Sequence, residues 1–111
     1  MLKLKKRSQF QQVYKKGRSY KNGKINIVVL ANGLSANRVG VSVSSRHIPL
    51  SVARNRSKRL LLEAHRSLEG GMAGGHDIVL IARGSLMSEK VSDLINPIKA
   101  IYRKSGILKI R

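Results

Sequence analysis

The chain reads as an α+β protein: one sheet with helices packed against it, in the order α-β-β-β-α-β-α. Three observations predict this. Arg38-Val-Gly-Val-Ser-Val-Ser44 alternates strictly, with Val39, Val41 and Val43 on one side and small or polar residues on the other, the period of a half-buried strand. His76-Asp-Ile-Val-Leu-Ile-Ala82 is almost wholly apolar, as in a central strand covered on both faces. Residues 51–68 and the stretch after Ser88 instead repeat their apolar residues at helical spacing.

The elements follow in order. Ser8-Gln-Phe-Gln11 has the form of a capping box, Phe10, Val13 and Tyr14 fall at i, i+3, i+4, and Gly17 suits a stop, which predicts a helix over 9–16. A short strand is expected at 18–22. Ile25-Asn-Ile-Val-Val-Leu-Ala31 is a β-branched run, and Asn32-Gly33 with Ser35-Ala-Asn37 supplies a turn into 38–44, so these two strands are expected to pair antiparallel. Pro49 and Ser51 open a helix over 51–68, and Gly70-Gly71 closes it. Gly70-Gly-Met-Ala-Gly-Gly75 reads as a flexible loop and lacks the Lys-Ser/Thr context of a phosphate-binding nucleotide loop. After strand 76–82, Val91, Leu94, Ile95, Ile98, Ile101 and Tyr102 mark a last helix behind a Ser88 cap.

At 111 residues the chain is expected to form a single domain over 1–111, large enough to bury a core. It contains no cysteine, which excludes disulfides and thiolate metal sites. No apolar run approaches the ~20 residues of a membrane span, and Met-Leu-Lys-Leu-Lys-Lys-Arg at the start is not a secretory signal. Charge is the strongest bulk signal: 23 Lys and Arg against 5 Asp and Glu. All the acids (Glu63, Glu69, Asp77, Glu89, Asp93) lie at or after position 63, so residues 1–62 carry 15 basic side chains and no acid. Such a chain repels itself unless a polyanion is its partner, and nucleic acid is the polyanion expected.

The cations are densest where the long helix begins. Arg54, Arg56, Lys58 and Arg59 stand within six residues, around Asn55. On a wheel at ~100° per residue, Ala53, Ser57, Leu60, Leu61, Ala64 and Leu68 form one arc that can dock on the sheet. Arg54, Asn55, Lys58, Arg59, His65 and Arg66 fall opposite, and Arg56 lies at the flank near Leu60. A solvated helix face normally carries Glu partners at i±4, but the one acid here, Glu63, sits at an edge. This face is therefore read as a surface for phosphate. Leu62 is the exception, an apolar residue on the basic side.

These residues carry a resemblance. Arg54-Asn-Arg-Ser-Lys-Arg59, followed by Glu63, resembles the Arg-Asn-Arg signature of the bacterial ribonuclease P protein subunit. Leu4-Lys-Lys, Phe10, Val-Tyr14 and Gly17 look like that family's N-terminal helix, 38–44 like the strand before the signature helix, and Asp77-Ile-Val-Leu-Ile-Ala-Arg83 like its last strand. The resemblance covers nearly the whole chain. It implies a fold like domain 2 of ribosomal protein S5, with a left-handed βαβ crossover that handedness rules alone do not predict. It implies a cytoplasmic ribonucleoprotein endoribonuclease whose RNA subunit is the catalyst. The protein would bind ribonuclease P RNA and the 5′ leader of precursor tRNA, with Mg²⁺ held mainly by RNA and substrate, and no membrane or small-molecule partner. Arg54, Asn55, Arg56, Lys58 and Arg59 match the signature, and Arg46 and Arg66 join them as RNA-binding candidates. Phe10 and Tyr14, with Lys15 and Arg18, match a cleft where unpaired leader bases stack. Two departures stand out. The family usually has a Lys pair where Ser44-Ser-Arg46 keeps one cation, and an Arg just before the Glu, where this chain has Leu62.

Other chemistries find little support. His47, His65 and His76 are scattered and read as exposed or RNA-facing, no metal site is expected, and no carboxylate pair suggests a protein nuclease. Two rival readings fit the composition: a ribosomal-type structural RNA-binding protein, and a DNA-binding module using helix 51–68. The second lacks a preceding helix, since 38–44 reads as strand.

Overall fold

The computed structural model describes residues 2–108. A two-residue strand β1 (Leu2–Lys3) precedes α1 (Arg7–Lys16), β2 (Arg18–Asn22), β3 (Ile25–Ala31), β4 (Arg38–Val43), α2 (Ser51–Leu68), β5 (His76–Ala82) and α3 (Val91–Ser105). Apart from β1, which the sequence did not suggest, this is the expected order.

The sheet runs β1-β4-β5-β3-β2. β4 and β5 are parallel neighbours (Val39↔Ile78, Val41↔Leu80) joined through α2. β3 is antiparallel to β5 (Ile27↔Leu80) and to β2 (Tyr20↔Ile27). The expected pairing of 25–31 with 38–44 is therefore corrected: the strands run in opposite directions, but β5 lies between them. β5 is apolar on both faces and withdraws both its edges from water, as its composition foretold.

Alternation along the strands builds two cores. Ile25, Ile27, Val39, Ile78, Leu80 and Ala82 face α2 and α3, meeting Leu61, Ala64, Ile98 and Tyr102 in the larger core. Val28 and Val79 face the other way and meet Leu4 and Val13, with Phe10, Leu30 and Ile81 partly buried around them. The small side of β4 is what admits α1. A Cβ at Gly40 would stand 2.5 Å from the Phe10 ring, so only glycine lets the ring lie on the strand.

The helix ends differ from expectation in detail. α1 starts at Arg7, and the capping acceptor is Gln9, whose Oε1 receives the backbone N–H groups of Lys5 (2.9 Å) and Lys6 (3.0 Å), in place of the Ser8–Gln11 box. Gly17 does end α1, but in extended geometry; its lack of a side chain matters because a Cβ would meet Val13 O at 2.6 Å and Val28 Cγ1 at 2.8 Å. At α3, Asp93 Oδ2 accepts from the Lys90 N–H at 2.8 Å, so Lys90 and not Ser88 is the cap. The 70–75 segment is held rather than loose: Asn37 bridges it, donating to Ala73 O (2.9 Å) and accepting from His76 N–H (2.8 Å). Beside it, Asp77 is buried and accepts a two-pronged bond from Arg38 (Nε–Oδ1 2.8 Å, Nη2–Oδ2 2.7 Å) and another from Asn32 (2.9 Å). Burial would raise the Asp77 carboxyl; these donors outweigh it and hold it below the ordinary carboxylate range.

Candidate nucleic-acid interface

The cations of α2 separate into two kinds. Arg54 and Arg56 are half-buried and reach backbone carbonyls. Arg54 Nη1 donates to Ile48 O (3.0 Å) and Pro49 O (2.7 Å), tying down the loop that enters α2. Arg56 donates from Nε to Met87 O and from Nη2 to Glu89 O, both at 3.3 Å, which ties α2 to the β5–α3 loop. Each guanidinium keeps further N–H groups for an anion, but neither stands on an open face. Asn55, Arg59 and Arg66 are exposed and Lys58 is half-exposed. Asn55, Arg59 and Arg66 lie within about 40° of one another on the wheel. They form the outward stripe of a rigid helix. Arg46 is exposed just before that helix, its N–H held by Ser44 Oγ at 3.0 Å.

Two wheel assignments are corrected. His65 is 0 % exposed, not on the basic face. Its Nδ1 lies 2.7 Å from Tyr102 Oη, and the two rings meet edge-on at 5.8 Å. Leu62 is partly buried against the larger core. The cause is common to both. A wheel built against one sheet has a single inward side, whereas α3 packs along the flank of α2 and draws that flank inside. Burial lowers the pKa of His65 and raises that of Tyr102, so both are neutral near pH 7. His76, half-buried at the start of β5, also departs from the exposed reading, its Nδ1 lying inside without a partner.

The aromatic pair stands on the other face of the sheet. Phe10 is partly buried on Gly40, and Tyr14 is 45 % exposed beside it, with ring centroids 6.5 Å apart. Gln9 and Gln12, on the far side of α1, border Arg38 and Asp77. On the wheel Tyr14 stands about 140° from Gln9 and about 160° from Gln12, on the other side of α1. Lys15 lies about 100° further round α1 from Tyr14 and points outward. Arg18 pairs with Val29, whose side chain packs on the α2/α3 core, so Arg18 belongs to the opposite face of the sheet and lines a hollow with Tyr20 and Ser105. The structure thus brings Phe10 and Tyr14 together and separates Arg18 from them. Period-2 alternation carries that fact, but only once the β2–β3 register is known.

Among the described residues no three His, Cys, Asp or Glu side chains come together, and both Asp77 oxygens are taken by Arg38 and Asn32. No helix among the described residues is long and apolar enough to cross a membrane.

The chain is similar to known proteins in sequence and in fold. Residues 1–106 match the family model described as Ribonuclease P. The ribonuclease P protein component of Clostridium acetobutylicum is 35% identical over 108 residues, covering 96% of this chain and 90% of that protein. That of Caldanaerobacter subterraneus is 39% identical over 107 residues, covering 96% and 91%. Among solved structures, the Staphylococcus aureus RNase P protein superposes with a TM-score of 0.83 at 25% identity, covering 98% of this chain and 99% of that one. The Thermotoga maritima RNase P protein gives 0.80 at 25% identity, covering 94% and 97%.

Proposed function

The chain belongs to the bacterial ribonuclease P protein component family, the protein part of a ribonucleoprotein endoribonuclease, and from that premise we propose how its two surfaces divide the work. It acts as a single RNA-binding domain in the cytoplasm. Asn55, Lys58, Arg59 and Arg66, with Arg46, contact phosphates of the RNA subunit. Arg54 and Arg56 hold the loops at either side of that stripe and keep their remaining N–H groups for RNA. Phe10 and Tyr14 stack unpaired leader bases of precursor tRNA, a contact worth roughly 1–3 kcal/mol per base and indifferent to sequence. That tolerance suits a protein meeting many leaders.

The observation that carries this reading is the exposed cationic stripe on α2, where Glu63 is the one acid within the helix and Glu69 stands at its C-cap. Among the described residues no cluster of carboxylates comes together, and the chemistry is assigned to the RNA subunit, where Mg²⁺ bound to RNA and substrate would stabilise charge developing at the phosphate. The protein's part is to bind and orient. The test is a salt titration of RNA-subunit binding. Arg59→Glu lowers the log–log slope by about 1 or more; an unchanged slope places the RNA elsewhere.

A further inference from the structure

On the flank of α1 away from Phe10 and Tyr14, an open hollow of about 460 Å³ is lined by Leu2, Lys3, Lys5, Lys6, Gln9 and Arg38. Its backbone is fixed. β1 pairs with β4 at the sheet edge, the Leu4 N–H donates to Val39 O at 2.9 Å, and the Leu4 side chain is buried in the smaller core. The lysines on either side of Leu4 are therefore presented from an ordered segment.

The hollow is lined by donors. Gln9 Oε1 is occupied by the N–H groups of Lys5 and Lys6, and since only the carbonyl end of an amide can accept, its NH₂ end is turned away from them. Arg38 uses Nε and Nη2 on Asp77, and its Nη1 meets no acceptor among the described residues. No carboxylate lines the hollow, and the nearest, Asp77, is already satisfied. The ammonium groups of Lys5 and Lys6 and an amide donor beside the exposed Leu2 side chain fit a sugar–phosphate backbone, with phosphate on the lysines and ribose on the leucine.

We propose that this hollow is a second RNA-backbone site, separated by α1 from the aromatic strip and by the sheet from the α2 stripe. It deepens the RNA-binding reading above and rests on it. The bound backbone belongs either to the RNA subunit or to precursor tRNA, and the two are told apart by probing each.

The test uses Gln9→Glu, which keeps the oxygen that caps Lys5 and Lys6 but replaces the NH₂ donor with negative charge. A Lys5→Gln/Lys6→Gln double variant and Arg59→Glu accompany it. Affinity is measured between 50 and 200 mM salt for an RNA-subunit transcript, and for a precursor-tRNA transcript binding the assembled holoenzyme. Gln9→Glu and the double variant weaken one of the two by about threefold or more and lower its salt slope by about 1, one phosphate's worth, with unchanged thermal midpoints. Loss toward the RNA subunit assigns the backbone to it; loss confined to precursor tRNA assigns it to substrate. If neither affinity moves while Arg59→Glu still lowers RNA-subunit binding, the second site is wrong and the α2 reading stands. If Arg59→Glu also has no effect, both fail.

Discussion

The Nδ1 nitrogen of His65 lies 2.7 Å from the Tyr102 hydroxyl, and both side chains are closed off from solvent between α2 and α3. The other ring nitrogen, Nε2, is buried with no partner. The pair links the helix that presents the basic stripe to the helix that backs it. Tyr102→Phe leaves the imidazole with no partner on either nitrogen and costs about 1–3 kcal/mol of stability, read by denaturant unfolding.

The same imidazole sets a pH dependence. Burial lowers its folded-state pKa, while the unfolded chain takes up a proton near pH 6.5. Below that pH the unfolded state binds more protons, so stability is whole above about 6.5 and falls as pH drops, by at most about 1.4 kcal/mol per pH unit. Unfolding midpoints at pH 7.5 and 5.5 diverge in the wild type, and His65→Phe narrows that gap.

Asp77 has the same sign in a lower window. Held below its ordinary value by Arg38 and Asn32, it contributes stability above about pH 4, lost as pH falls further. Asp77→Ala costs about 2 kcal/mol at pH 7, less than a fully buried pair because Arg38 keeps contact with water. The gap between variant and wild type narrows as pH falls below about 4.

Gly40→Ala tests the seat of Phe10. The new methyl would stand 2.5 Å from the ring, so the ring must leave the strand. The variant loses about 1–3 kcal/mol of stability. It lowers affinity of the holoenzyme for precursor tRNA with a long leader, as Phe10→Ala does, and leaves affinity for leaderless tRNA unchanged.

Arg54 and Arg59 separate structural from binding cations. Arg54→Ala removes two bonds to the 48–49 carbonyls and lowers the thermal midpoint, by about 1–2 kcal/mol of stability. Arg59→Ala leaves the midpoint in place and weakens RNA-subunit binding.

Local patterns revealed most elements and few neighbours. The apolar run at 76–82 announced a central strand, and the alternation of Val39, Val41 and Val43 announced a half-buried one. Which strands lie beside β5 depends on pairing between residues 39 or more positions apart. The turn at 32–37 suggested a hairpin because nothing local shows β5 entering between its arms. The outward stripe at Asn55, Arg59 and Arg66 was legible from period and sign. The inward turn of His65 arises from α3, the carbonyl contacts of Arg56 from the 86–90 loop and those of Arg54 from the 48–49 carbonyls, none of which a single-helix wheel contains. Gly40 could have been found as the one residue without a side chain in the alternating strand. That Phe10 occupies the space needed the fold.

The most direct measurement of the central claim is cleavage of precursor tRNA by the cognate RNA subunit at low Mg²⁺, with and without this protein. The account predicts that the protein restores cleavage at the mature 5′ end, and that Arg59→Glu restores it only at higher protein concentration. Cleavage indifferent to the protein, or cleavage by the protein without RNA, would contradict it.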